Sequence, residues 1–194
     1  EWATIRETVL TTHIQKLDVQ KMEKDLTRFN KTAFLASKGF PNNKVVPLFK
    51  AEVEVFNPVL PVIINLRNES IKERHWAKIS DILGFKIQDE DNFTVHDLVD
   101  RNVTKHDIVI ATIATSAQQE SILEEMMSKV TTIWRSALLD VRPYKDVKDL
   151  FILGDTTDII ANLDDCLVTI NTVLGSRYVA GIRDFVDGWR GKLM

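Results

Sequence analysis

Apolar positions along this chain recur mostly at three- and four-residue spacings, the pattern of helices that bury one face. Within residues 1–38, Leu10, Ile14 and Leu17 make one short stripe, and Met22, Leu26, Phe29 and Ala33 make another. The stripe slips at Leu17-Asp18-Val19. One helix or two, with Asp18 capping the second, satisfy that pattern equally. Gly39-Phe40-Pro41-Asn42-Asn43 is a breaker and loop. Helical spacing resumes near Leu48, and Pro58 and Pro61 then predict a kink or break between Phe56 and Pro61, because each proline removes an N–H and clashes with the preceding turn.

The next helix is read from Ser70. Ser70 and Glu73 have the S-x-x-E spacing of a capping box, in which each side chain takes a backbone N–H of the other residue. At 100° per residue, Ile71, His75, Trp76, Ile79, Ile82 and Leu83 share one arc, with Glu73 and Arg74 outside it. Gly84 ends the helix. Trp76 is read as a core anchor whose truncation to alanine costs about 3–5 kcal/mol. His75 reads as a half-buried, hydrogen-bonded histidine and Arg74 as a solvated surface residue.

Beyond Gly84, residues 85–88 alternate like a strand and 89–92 form an acidic turn. Thr94 with Asp97, and Thr104 with Asp107, have N-cap spacing. The second pair starts the longest predicted helix, about residues 105–139, roughly 50 Å long. In its first half Ile108, Val109, Ile110, Ile113 and Ala114 are apolar nearly all round, which predicts burial on several sides. In its second half Leu123, Met126, Met127, Val130, Ile133, Trp134 and Ala137 make a one-sided stripe. Residues 138–144 and 150–153 pair as a small hairpin. Thr156 or Asp155 then caps a helix to about Leu174 that buries Ile159, Leu163, Cys166, Ile170 and Val173 and ends at Gly175. The last helix, from about Arg177, buries Ile182, Phe185, Val186, Trp189 and Leu193. The fold class is mainly α: elongated antiparallel helical bundles with one small β-hairpin, with Trp134 and Trp189 as further core anchors.

Composition changes this picture little. The chain has 194 residues, 44% hydrophobic and 27% charged, with net charge −3. That balance disfavours a nucleic-acid platform, which needs a basic stripe. The apolar run at residues 59–66 contains Pro61 and Asn65 and is too short to span a bilayer, so neither nucleic acid nor membrane is an expected partner. The single cysteine, Cys166, excludes an intrachain disulfide and fits a reducing compartment. The Asn30, Asn68, Asn92 and Asn102 sequons are read as accidental. A first residue other than methionine and a helical pattern running to Met194 suggest a piece of a longer polypeptide.

Candidate chemistry is sparse. The nearest approach to a phosphate-binding loop, Gly188-Trp189-Arg190-Gly191-Lys192-Leu193, has the wrong spacing and lacks the hydroxyl. His96-Asp97 and His106-Asp107 look like paired metal ligands, but each aspartate is better explained as first-turn charge. Asp164 and Asp165, adjacent on a helix, point about 100° apart. Cys166 lies on an apolar stripe and reads as a small core hydrophobe. No catalytic, cofactor-binding or metal-binding residue is assigned.

The run Leu66-Arg67-Asn68-Glu69-Ser70-Ile71-Lys72-Glu73-Arg74-His75-Trp76 resembles the "L-x-N-x-x-(I/L/M)-K-x-R-H-W" signature of dynein heavy chains, in the segment called the linker. Within it Ser70, Glu73, Arg74, His75 and Trp76 are the signature residues, read as structural. Phe56-Asn57-Pro58-Val59-Leu60-Pro61-Val62-Ile63, Phe93-Thr94-Val95-His96-Asp97-Leu98, Ile133-Trp134, Phe151-Ile152-Leu153-Gly154 and Gly175-Ser176-Arg177-Tyr178 continue the resemblance in order. It covers residues 50–194 well and 1–49 loosely, and is closer to axonemal than to cytoplasmic heavy chains. It implies a tail-proximal helical segment at 1–49 and the N-terminal part of the linker at 50–194. The implied role is a force-transmitting lever in a microtubule-based motor of the cilium, with no catalysis in this stretch. ATP and Mg would bind in a downstream AAA+ ring, and microtubules would be touched only by other parts of the parent. The implied partners are that ring and other dynein subunits or axonemal proteins, with the latter supporting an alternative reading as a docking module. Compliant points of the lever would lie at Pro58-Val59-Leu60-Pro61 or at residues 89–92.

Overall fold

In the computed structural model, which describes residues 1–87, 93–146 and 148–194, the slip at residue 18 resolves as two helices, α1 (Trp2–Thr11) and α2 (Val19–Gly39). The Asp18 carboxylate accepts the Lys21 N–H at 2.9 Å, satisfying one of the donors that a helix start leaves open. Three further helices follow: α3 (Val45–Glu54), α4 (Val59–Leu66) and α5 (Glu73–Leu83). The break expected near the prolines lies between α3 and α4. Pro58 precedes α4 and Pro61 sits in its first turn, where a missing N–H loses no intrahelical bond. Val59, Val62, Ile63 and Leu66 of α4 are fully buried, whereas Pro58, Pro61 and Ile64 are exposed.

The mainly helical reading with one hairpin holds. The chain divides into two compact units, Glu1–Ala117 and Gln118–Met194. In the first, the periodicity of α2 buries Met22, Leu26, Phe29 and Ala33 as expected. An aromatic cluster with no counterpart in the sequence reading forms around Trp2. Its ring meets Phe29, Phe49 and Phe56 edge-on, with centroids at 5.1, 6.3 and 5.5 Å. Trp2 Nε1 donates to Glu52 at 3.3 Å.

Residues 85–87 are not a strand. Ile87 is buried, and the Phe85 ring lies 6.0 Å from that of Phe93 with the Arg101 guanidinium 4.6 Å above it. Side-chain stacking holds this segment where the expected strand would need a ladder partner. Gln88 and the acidic turn at 89–92 lie outside the described residues. Extended pairing occurs elsewhere: the Ile14 N–H donates to the Phe93 carbonyl at 3.1 Å and the Val95 N–H to the Thr12 carbonyl at 3.3 Å. That bridge delivers Thr94 to the start of α6 (Val95–Asp100), where the predicted cap forms. Thr94 donates to Asp97 Oδ2 from its N–H at 2.9 Å and from its hydroxyl at 2.6 Å, and the Asp97 N–H returns a 3.3 Å bond to Thr94 Oγ1. The Thr94 hydroxyl and N–H hold the Asp97 carboxyl below its ordinary value.

α7 (Asp107–Ser136) starts after a 3₁₀ turn, Val103–His106. Thr104 lies inside that turn, so it does not form the expected cap with Asp107. The first half of α7 is not buried all round. Ile110, Ile113, Ala114 and Ala117 make one buried face, whereas Ile108 and Val109 are 77% and 43% exposed because they point off it.

In the second unit, Leu123, Met127 and Val130 of α7 pack with Cys166, Ile170 and Val173 of α8 (Thr157–Leu174), and with Val179, Ile182 and Val186. Val186 belongs to α9 (Arg183–Leu193), on which Phe185, expected in the core, is exposed. Of the two candidate caps for α8, Asp155 acts: its carboxylate accepts the Thr157 N–H at 2.9 Å and hydroxyl at 2.6 Å. These same bonds lower the Asp155 pKa. The predicted hairpin pairs β1 (Val141–Pro143) antiparallel to β2 (Phe151–Leu153), with Arg142 opposite Ile152. All six strand residues are exposed.

Thr94→Ala is expected to lower stability by about 1 kcal/mol at neutral pH. Because the folded Asp97 pKa is depressed, its contribution is present above the ordinary carboxylate value of 3.8 and is lost as pH falls through the folded value. Urea titrations should therefore show the gap between Thr94→Ala and the parent closing below that pH.

Candidate functional site

The signature run is a turn between α4 and α5. Leu66 ends α4 with 1% exposure. Arg67 turns back on the α1–α2 junction, and its Nη1 donates to the Leu17 carbonyl at 2.6 Å. The Asn68 side chain then takes the Ser70 N–H at 2.9 Å, and its carbonyl takes the Ile71 N–H at 3.0 Å, a local turn of the kind asparagine favours.

The helix start differs from the one predicted. Ser70 lies in the turn, α5 begins at Glu73, and Lys72 is its N-cap. Glu73 is exposed. The third helical residue, His75, does the work assigned to Glu73: its Nδ1 accepts the Lys72 N–H at 3.1 Å, while its own N–H donates to the Lys72 carbonyl at 2.8 Å. The accepting nitrogen must carry no proton, so the imidazole is the Nε2–H tautomer. The imidazole thereby supplies the back-reaching half of a capping box, the part a carboxylate usually plays.

His75 is consequently deeper than expected, at 1% exposure, and Trp76 shallower. Trp76 packs partly buried against the first core beside Ile71, Ile82 and Leu83, and Ile79 is fully buried. Arg74 is half-buried and has an interaction partner. Gly84 closes the helix at φ 77°, with its N–H on the Ser80 carbonyl at 2.8 Å, as a left-handed stop requires. Trp134 and Trp189 sit partly buried at the margin of the second core. Among the described residues Trp134 Nε1 has no hydrogen-bond partner.

The other chemistry-bearing residues do not converge. His96 pairs with Asp100 one turn on, Nδ1 to Oδ2 at 3.1 Å, and not with His106. This pair rims a cleft of about 200 Å³ in the first unit, floored by Leu10, Phe56 and Val99. Cys166 is buried in the second core. No group of three metal-ligating side chains occurs among the described residues. Glu120 is buried at 7% exposure, which hydrophobic periodicity does not predict because it flags apolar positions only.

What the signature defines is thus a packing lock in a helical chain. The family model for "Dynein heavy chain, N-terminal region 2" matches residues 1–194. Human dynein axonemal heavy chain 6 is 34% identical over 194 residues, covering 100% of this chain and 5% of that protein. Human dynein axonemal heavy chain 2 is 28% identical over 191 residues, covering 97% of this chain and 4% of that one. Mouse dynein axonemal heavy chain 1 is 26% identical over 197 residues, covering 100% and 5%. The chain belongs to the dynein heavy chain family and corresponds to its N-terminal region 2. It spans only about one-twentieth of the length of these relatives.

The lock makes a discriminating comparison. His75→Ala removes a cap and leaves a core cavity, and should cost about 2–3 kcal/mol. Glu73→Ala should cost less than about 0.5 kcal/mol, as at an ordinary surface position. Chemical denaturation of the two variants checks this, and the opposite ranking would restore the Ser70–Glu73 box.

Proposed function

We propose that this chain is the N-terminal part of the linker of an axonemal dynein heavy chain and acts as a force-transmitting element. In this reading the ATP-hydrolysing AAA+ ring of the same heavy chain drives it, and it works in the ciliary axoneme. The match of residues 1–194 to the family's N-terminal region carries the reading. The signature's physical role supports it. Arg67, Asn68 and His75 are committed to backbone groups, with Arg67 and Leu17 fifty residues apart. A segment that must pass on load without yielding benefits from a cross-tie such as Arg67–Leu17, which resists shear between elements distant in sequence. Of the two expected compliant points, Pro58–Pro61 leads into α4 with Val59 buried and both prolines exposed, and the other, at 89–92, lies outside the described residues.

A second reading, a module that docks other dynein subunits or axonemal proteins, is favoured by one observation. The end of the α2–α3 hairpin exposes several large apolar side chains among lysines.

Arg67→Ala in the full-length heavy chain tests the lever. It removes a charged hydrogen bond worth about 1.5–3 kcal/mol locally. Microtubule gliding velocity should fall several-fold while ATP turnover is retained. Proportional loss of both would remove the lever reading.

A further inference from the structure

The end of the α2–α3 hairpin has a charge pattern unlike the rest of the chain. From Leu26 to Ala51 there is no acidic residue, while Arg28, Lys31, Lys38, Lys44 and Lys50 give this stretch a charge of +5 in a chain whose net charge is −3. Arg28 is occupied, with its guanidinium 2.8 Å from Glu1 and 4.6 Å above the Phe29 ring. Lys50 lies 3.5 Å from Glu54. Lys31, Lys38 and Lys44 are all exposed.

These cations frame apolar residues that the fold does not use. α2 buries the stripe Met22, Leu26, Phe29 and Ala33. On its opposite side Lys31, Phe34, Leu35 and Lys38 recur at i, i+3, i+4 and i+7, and therefore form a second stripe. Phe34 and Leu35 are 51% and 56% exposed, and the Lys38 ammonium lies 4.5 Å from the Phe34 ring centroid. The stripe runs into the 40–44 loop, where Phe40 is 65% exposed, and on to Val45 and Leu48 in α3, each 67% exposed. Scattered exposed apolar residues need no explanation, but five large ones at the end of one helical hairpin, with basic residues among them, form a recognition pattern.

We propose that this surface docks an acidic amphipathic helix of a partner protein. Leucine-like side chains of that helix would cover Phe34, Leu35 and Leu48, and flanking carboxylates would meet Lys31, Lys38 and Lys44. Charge complementarity selects the partner's sign, and the i, i+3, i+4, i+7 spacing selects its form. An anionic membrane is the weaker occupant. Lys31, Lys38 and Lys44 fall short of the usual polybasic cluster. This inference deepens the docking reading and rests on it. The lever reading does not depend on it.

The test is fluorescence-anisotropy titration of the full chain with a labelled synthetic helix carrying leucines along one face and glutamates along its flanks. A second helix with lysines in place of the glutamates and vesicles of phosphatidylserine and phosphatidylcholine serve as comparisons. The glutamate helix should bind in a salt-dependent manner. Lys31→Glu with Lys38→Glu should weaken it by about tenfold and create affinity for the lysine helix, a gain that misfolding could not produce. Equal binding of both helices, binding to vesicles alone, or no binding of the glutamate helix would overturn the proposal. Cross-linking of the intact motor is separate: links from other surfaces of this chain to another subunit would keep the docking reading alive even if the peptide failed.

Discussion

The guanidinium of Arg67 reaches fifty residues back along the chain to hold the Leu17 carbonyl at 2.6 Å, and that tie joins the end of α4 to the α1–α2 junction. Leu17 lies at the junction where α1 gives way to α2, so its carbonyl belongs to no helical ladder and needs a donor. Arg67 lies where α4 ends and is carried there by a helix whose Val59, Val62, Ile63 and Leu66 are fully buried. Two junctions between helices are thereby held together by a charge-assisted bond, which is stronger than a neutral one and directional. The neighbouring bridge between residues 12–14 and 93–95 fixes a third segment against the same junction.

Seen this way, the conspicuous side chains of the signature are spent on folding. Asn68 organises a turn, His75 closes a helix start and Trp76 covers the edge of the core. Each accepts, donates or packs against the chain itself. The run read as structural from sequence is a joint in three dimensions, which suits a chain of the dynein heavy chain family whose role is mechanical under the reading proposed above. Exposed chemistry lies elsewhere, at the basic apolar end of the α2–α3 hairpin and on the hairpin of β1 and β2.

Much of the fold could be read locally. Asp18, Thr94 and Asp155 cap helices because short polar side chains reach an N–H two or three residues on, a relation contained entirely in the sequence. Gly84 stops α5 for an equally local reason, its positive φ. The errors have a common origin. Ser70 and Glu73 satisfy the capping-box spacing, but Asn68 had already drawn Ser70 into its own turn, and His75 took the vacant role. The alternation at 85–88 resembles a strand, but strand formation needs a partner, and Phe85 found Phe93 and Arg101 instead. Ile108 and Val109 promised burial from their composition, yet a helix presents only one face to one core.

By itself the sequence determined the helical class, most helix ends and the family, since propensities, caps and signature residues act over a few positions along the chain. Tertiary structure alone decided which aromatics matter and where polar groups are satisfied. Trp2, unremarked in sequence, gathers Phe29, Phe49 and Phe56, whereas Trp134 and Trp189 stay at the edge of the second core. The Arg67–Leu17 bond was equally out of reach. The physical reason is that burial and long-range hydrogen bonds depend on which segments the folded chain brings together, and no periodicity within one helix encodes its neighbour.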